Sequence, residues 1–323
     1  MYNSQSKTVL VSGAAGFIGS HLSANLVLNH RIIGIDDFSS GCKRNISNLL
    51  ENEKFTFYHS RIQDLEILRD LISETDIVIH LAASVGVLKT YCEPLLTLEN
   101  NINSSHRIIE LCYELKKPLI IASSSEIYGN YVSTCMKEES KSEFDNIISK
   151  RMSYTVSKVL DEMKLFLLKD SGMQSIVLRF FNIIGPNQTG KYGMVTPKFI
   201  KQAIKNEPIT IYGNGNQVRS FCDIRDVIYA IEKIIDKEDY KYNVFNLGSD
   251  NEISINDLAD KILKYTNSKS QKIYIPFKEV HTEFEEVSFR KPCYDKFKES
   301  YGWNPNFSIE DSIKSIIQTN YGS

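Results

Sequence analysis

The chain has no apolar run approaching the ~20 residues that span a bilayer, and its opening, MYNSQSK, lacks the apolar core of a secretory signal. These two absences predict a soluble, cytoplasmic protein without a membrane partner. No C-x-x-C pair occurs among Cys42, Cys92, Cys112, Cys135, Cys222 and Cys293. Their scatter argues against a zinc site or any other metal and shows no disulfide framework, so free and mostly buried thiols are expected. An excess of one charge sign is also missing. Lys+Arg 38 against Asp+Glu 40 gives a net charge of -2, without the basic bias of proteins that bind nucleic acid through its backbone. Internal repeats and low-complexity segments are absent from the sequence.

What is present is a chain of 323 residues, 42% hydrophobic, enough for one large or two smaller domains. Its first half alternates strand-like runs, TVLVSG (8–13), RIIGID (31–36), KFTFYH (54–59), DIVIHLA (76–82) and PLIIASS (118–124), with amphipathic, helix-like segments. This rhythm predicts an α/β fold with a doubly wound, Rossmann-type parallel sheet covered on both faces. After SIVLRFFN (175–182) the rhythm loosens into Gly- and Pro-bearing loops and short helices. Residues 1–182 are therefore read as mainly the sheet domain. Residues 183–323 are read as mainly a smaller substrate-binding lobe, with some chain crossing between the two.

VLVSGAAGFIGSHL places Gly13, Gly16 and Gly19 between a strand and a helix. Glycines there permit a tight turn and close approach of a pyrophosphate, whose charge the helix N-terminus favours. Asp36, at the end of the second strand and 23 residues after Gly13, can accept both hydroxyls of a ribose and would repel a 2′-phosphate. A glycine turn beside an ordinary surface Asp is the bland alternative. The strand before and the helix after favour a dinucleotide site, and the carboxylate favours NAD over NADP.

SYTVSKVLDEM sets Tyr154 and Lys158 four residues apart, on one face of a helix. An ammonium beside a phenol lowers its pKa, so the phenolate can take a proton from an alcohol while a nicotinamide takes the hydride. Y-x-x-x-K arises often by chance on solvated helix faces. Here SSSE, thirty residues upstream, supplies hydroxyls able to hold the same alcohol, and ASSSEIYG lies where such sheets keep their ligands.

Together GAAGFIG, HLAA (80–83), Asn101, SSSEIYG, YTVSK, RFFNIIGP and GNGNQVRSF make the chain resemble an extended short-chain dehydrogenase/reductase of the NAD-dependent epimerase/dehydratase family acting on nucleotide sugars. The resemblance runs from about Thr8 to the C-terminal helix. It implies Ser124 in the catalytic Ser/Thr position, Tyr154 as base, and Lys158 orienting ribose and phenolate. It implies cofactor contacts from the backbone of Phe17 and Ile18, and from Asp37, Ser39, Ser40, Gly41, Arg61, Ile62, Leu81, Ala82, Ala83, Asn101 and Phe180. Asn182 and Arg219 would face the substrate diphosphate, with Val85, Val195, Lys198, Tyr212 and Arg290 completing the substrate contacts; Tyr212 would stack near the nucleotide base or serve the core. Two departures stand out. SRIQD puts Arg61 where the family has an adenine-contacting Asp, so Arg61 is expected to stack on the base instead. RSF replaces the usual RDF after the Gly loop, so Arg219 is kept without its acidic neighbour. By the same resemblance the helical stretches 97–115 and 154–170, apolar on one face, would join two copies in a four-helix bundle.

Oxidising C4 of a hexose acidifies the C5 proton, and in the family's dehydratases and UDP-glucuronate decarboxylases a Glu stands two positions after the catalytic Ser/Thr. The resemblance therefore reads Glu126 as a C5 base and Ser125 as a proton donor or positioning hydroxyl near C6. A dehydratase of a UDP-sugar, eliminating 4,6 or 5,6, is the first reading. A UDP-glucuronate decarboxylase stands close behind, because RKP at Arg290 matches that group while the SVGVLKTYCEP loop does not. A 4-epimerase, in which Glu126 has no chemical role, is the alternative, and a non-catalytic NAD-binding regulator the remote one. His80 is read as a packed, hydrogen-bonded core histidine.

Overall fold

Val9, Leu10 and Val11 are wholly buried, as are Ile77, Val78 and Ile79, and Leu119, Ile120 and Ile121. Unbroken apolar runs of this kind belong to inner strands of a parallel sheet covered on both faces. The computed structural model describes residues 5–131, 133–144, 147–190, 193–276, 279 and 289–322. In it these runs lie in β1 (Thr8–Ser12), β4 (Ile77–His80) and β5 (Leu119–Ser124), and β2 (Arg31–Asp36), β3 (Phe55–His59) and β6 (Ser175–Phe180) are the other strands of this part of the chain. The helices between them are α1 (Phe17–Leu26), α2 (Leu68–Ser73), α3 (Val87–Cys92), α4 (Pro94–Glu114) and α5 (Met152–Leu168). After β6 come β7 (Ile183–Ile184), α6 (Val195–Ile204), β8 (Ile209–Tyr212), β9 (Val218–Ser220), β10 (Cys222–Asp223), α7 (Ile224–Lys237) and β11 (Asn243–Leu247). The chain ends through β12 (Glu252–Ser254), α8 (Ile255–Thr266), β13 (Lys272–Ile275), β14 (Phe289–Arg290), α9 (Asp295–Tyr301) and α10 (Ile309–Tyr321).

The main sheet has seven parallel strands in the order β3-β2-β1-β4-β5-β6-β11. Strand order reverses between β1 and β4, which opens a crevice beyond the carboxyl ends. Register then sets the height of the site. His80 of β4 pairs with Ile121, whereas Ser124 pairs with Phe180 of β6. β5 therefore overhangs β4 and carries Ser124, with the turn after it, past the sheet edge.

The sheet is closed by a strand from the second half of the chain: β11 pairs with β6, and α7 packs on α1. β11 has no counterpart among the strands expected from the sequence. The remaining short strands pair as β7 with β10, β8 with β13, and β9 between β12 and β14. Around them Phe199, Ile200, Ile211, Leu258, Ile262 and Ile313 build a separate core for the smaller lobe. All six thiols are free, but only Cys112, Cys222 and Cys293 are buried; Cys42 and Cys92 are exposed, which corrects the expectation of mostly buried thiols. No helix among the described residues is long and apolar enough to cross a membrane, and none of their His, Cys, Asp and Glu side chains group into a metal site.

Candidate active site

A cavity of about 450 Å³ lies in the crevice. The sequence-derived residues that line it are Gly13, Gly16, Phe17, Ile18, Gly19, Asp36, Asp37, Ser39, Ser40, Gly41, Arg61, Ile62, Leu81, Ala82, Ala83, Val85, Asn101, Ser124, Ser125, Glu126, Tyr154, Lys158, Phe180 and Asn182. Val195, Lys198, Tyr212, Arg219 and Arg290 are not in its wall.

At the β1 end the backbone comes too close for side chains. Gly13 has φ +72°, and a Cβ on it would lie 2.8 Å from the backbone nitrogen of Ala82. A Cβ on Gly19 would lie 2.0 Å from the Gly13 carbonyl oxygen. The turn can therefore form only with glycine, and it leaves a cradle at the N-terminus of α1, whose N-cap, Gly16, supplies no side-chain hydrogen bond. Asp36 closes the cradle. Its Oδ1 accepts from the Phe38 N–H (2.7 Å) and its Oδ2 from the Ala15 N–H (3.0 Å). Burial pushes this carboxyl up from its ordinary value, and the two N–H groups oppose that shift. The glycine cradle and this buried, oriented carboxylate fit the pyrophosphate and ribose of NAD. Arg61 is held by an ion pair to Asp37 (3.6 Å) on the same rim.

At the β5 end, Ser124 Oγ accepts from the Glu126 N–H (3.2 Å), starting a short 3-10 turn over Ser125–Tyr128. Ser124 also hydrogen-bonds the Tyr154 side chain, which reaches it from the first turn of α5. Burial pushes the Tyr154 phenol up; the Lys158 ammonium and the Ser124 hydrogen bond pull the other way. Asn101 Oδ1 accepts from the Ser84 N–H (2.6 Å) and its Nδ2 donates to Ser157 Oγ (3.3 Å), tying α4 to both the loop after β4 and α5. Tyr128 belongs to the frame: its hydroxyl donates to Asn246 Oδ1 (2.7 Å) and accepts from Arg179 (2.8 Å), while Arg179 pairs with Glu162 (2.7 Å).

Glu126 is held on both sides. Arg151 Nη2 and Nε donate to its Oε2 (2.7 and 3.1 Å), and Arg290 Nη1 donates to its Oε1. Burial alone would raise this carboxyl, but the guanidiniums of Arg290 and Arg151 overcome it and hold the group at about 2. A carboxylate so stabilised, with both oxygens taken, is a weak proton acceptor. This setting does not suit the C5 base expected from the sequence. Arg151 is one of the lining residues that sequence reasoning missed; its signal was its place three residues before Tyr154 in KRMSY.

The smaller lobe brings other expected residues together away from the cavity wall. Lys198 Nζ donates to the Tyr212 hydroxyl (3.0 Å). Arg219 of β9 stands in register with Arg290 of β14. Asn182, in the cavity wall, adopts φ 37° and its amide donates to the Ser220 carbonyl (3.0 Å).

Residues 9–248 match the model of the NAD dependent epimerase/dehydratase family. The chain is 35% identical, over 97% of its length and 97% of the other, to a UDP-N-acetyl-alpha-D-glucosaminuronate decarboxylase of Bacillus cytotoxicus. It is 28% identical to UDP-glucuronic acid decarboxylase 1 of Danio rerio, over 97% of this chain and 72% of that protein. Among solved structures, a UDP-glucuronic acid 4-epimerase from Bacillus cereus, in complex with UDP-glucuronic acid and NAD, superposes with a TM-score of 0.87 at 27% identity, covering 97% of this chain and 98% of that one.

Proposed function

The chain belongs to the NAD dependent epimerase/dehydratase family, and from that premise we propose that it is a decarboxylase of a UDP-linked hexuronic acid. The observation that carries this reading is the Arg151–Glu126–Arg290 clamp beside Ser124 and Tyr154. Both guanidiniums converge on one carboxylate at the β5 end of the cavity, and Arg151 lines its wall. With Ser124 and Tyr154 at the C4 hydroxyl, the next residues of the turn, Ser125 and Glu126, flank C5 and C6. Guanidinium donors at that place suit a substrate that is itself anionic at C6.

In this reading Ser124 holds the C4 hydroxyl and Tyr154 takes its proton, with Lys158 favouring the phenolate. Bound NAD supplies the hydride acceptor and later the donor. The 4-keto uronate is a β-keto acid: its C5–C6 bond breaks, carbon dioxide leaves, and the electron pair passes to the C4 oxygen as an enolate. Water then gives a proton to C5, and Tyr154 returns its proton to the C4 oxygen as the ketone is reduced. No base is needed at C5, which agrees with a carboxyl held at about 2 at Glu126. Dehydration, the first reading from sequence, needs such a base, and so gives way to decarboxylation.

Two further parts of the reading concern assembly and place. Leu95 and Leu96 on α4, and Leu160, Met163, Phe166 and Leu167 on α5, are exposed apolar side chains on packed neighbouring helices. This surface supports a homodimer in which the α4–α5 pair meets its copy. Six free thiols suit a reducing compartment, and we place the protein in the cytoplasm.

The test is incubation with UDP-glucuronate, UDP-N-acetylglucosaminuronate and their neutral counterparts, followed by product masses. Loss of carbon dioxide from a uronate is expected. Loss of water, or an unchanged mass with inverted C4, would overturn the proposal in favour of a dehydratase or an epimerase.

A further inference from the structure

Behind Tyr154 lies an enclosed polar chain that the reaction as described does not use. Lys158 Nζ donates to Asp161 Oδ2 (3.2 Å), and the two side chains are 2% and 6% exposed. Tyr154, Lys158 and Asp161 follow one another at helical spacing along one face of α5. The same carboxylate oxygen accepts from Ser105 Oγ of α4 (3.0 Å). Because that hydroxyl spends its proton on Asp161, it accepts from His80 Nε2, 3.2 Å away. His80 Nδ1 is then left to accept from Ser12 Oγ (2.7 Å), which itself accepts from the N–H groups of Leu81 (3.2 Å) and Ala82 (3.3 Å). The donors run one way, from the edge of β1 to Asp161. Burial, with the Lys158 charge adding to it, pushes the imidazole down to about 3, so His80 enters the chain neutral.

We propose that Asp161 is a positioning residue for the Tyr154–Lys158 pair: it anchors the Lys158 ammonium from behind, and its charge offsets part of the ammonium's pull on the phenol. A buried ammonium without a counter-ion would be held only at large cost, and Asp161 removes that cost. Burial raises the Asp161 carboxyl, and Lys158 and Ser105 counter the rise. The other charges near the phenol are paired. Glu126, from the turn after β5, is held by Arg151 and Arg290; Glu162, next along α5, is held by Arg179 of β6; His80 of β4 is neutral. Asp161 is thus the carboxylate whose removal changes the charge at Lys158 while leaving these pairs intact.

This inference rests on Tyr154 being the proton acceptor. Asp161→Asn keeps the shape and an acceptor oxygen and removes the charge. With the tyrosine ring carbon isotopically labelled, and the Tyr154 signal assigned by its loss in Tyr154→Phe, NMR follows the phenol directly in the protein without substrate. The phenol should titrate about one pH unit lower in Asp161→Asn, and the acid limb of sugar-dependent C4 oxidation should move the same way. Ser105→Ala, which leaves the carboxylate's charge in place and removes a donor that partly neutralises it, should shift both in the opposite sense by less, and serves if Asp161→Asn fails to fold. A folded variant with an unmoved phenol titration and only a lower Tm would overturn the proposal. Normal turnover by Tyr154→Phe would instead sink the base assignment, so the two failures are distinguishable.

Discussion

Arg151 Nη2 lies 2.7 Å from Glu126 Oε2, and this contact joins the first residue before α5 to the turn after β5. With Arg290 on the other oxygen, the Glu126 carboxyl sits at about 2 against an ordinary 4.5. A folded-state value below the unfolded one means that the ionised group stabilises the fold at pH above the ordinary value. That contribution is lost as pH falls through about 2. Urea melts across this range should show wild type ahead of Glu126→Gln by about 2–3 kcal/mol at neutral pH. The gap should close toward the acid end. A constant gap across the range would mean that the clamp is not the source of the stability.

Arg290 offers the second test of the clamp. Arg290→Met removes a charge-assisted donor while keeping most of the side chain's bulk. KM for a UDP-uronate should rise ~10–100-fold, while binding of the neutral UDP-sugar stays within about threefold. Equal losses for both ligands would assign Arg290 to the fold rather than to recognition of the carboxylate.

Tyr154→Phe keeps the ring and loses the hydroxyl that meets Ser124. Turnover should fall ~10²–10⁴-fold, with Tm and NAD affinity near those of wild type. Lys158→Ala should damage both rate and NAD affinity. It also strands Asp161, so its Tm should drop as well. Calorimetric NAD titration alongside single-turnover rates separates the two patterns.

The sheet was legible because its strands are short apolar runs separated by amphipathic segments; five of its seven strands fall on the strand-like runs read from the sequence, and β6 falls on SIVLRFFN. β11 was not, because NVFNL sits deep in the second half of the chain and joins the sheet only through pairing with β6. The glycine cradle and Asp36 were legible from their strand–turn–helix context, and Tyr154 with Lys158 from their four-residue spacing taken together with SSSE upstream. The clamp was not. Arg290 reaches Glu126 across 164 residues, and no local pattern encodes that meeting. The resemblance implies a base at Glu126, whereas the fold sets its carboxylate between the guanidiniums of Arg151 and Arg290. The same holds for the smaller lobe, where Lys198 and Tyr212 satisfy each other instead of lining the cavity.

Asp36 both faces the cofactor cradle and holds the turn through Ala15 and Phe38. Asp36→Ala should weaken NAD binding, relax discrimination against NADP, and lower Tm, because two N–H groups lose their acceptor. Asp36→Asn, which keeps an acceptor oxygen, should recover part of the Tm without restoring the preference for NAD. If NADP remains excluded in both variants, the discrimination lies elsewhere on the rim, with Asp37 the first residue to test.

The α5 surface gives the last prediction. Leu160, Met163 and Leu167 are 42%, 51% and 66% exposed and recur at helical spacing. The opposite face of the same helix, with Lys158, Asp161 and Leu165, is buried. A helix buried on one face and apolar on its other, uncovered face gains by meeting a partner. In a two-fold dimer each substitution appears twice across the interface, so Met163→Glu with Leu167→Glu would set like charges against each other. Wild type should sediment as a dimer and the double variant as a folded monomer with unchanged far-ultraviolet circular dichroism. A wild type that is monomeric at micromolar concentration, or a variant that stays dimeric, would remove this face from the assembly.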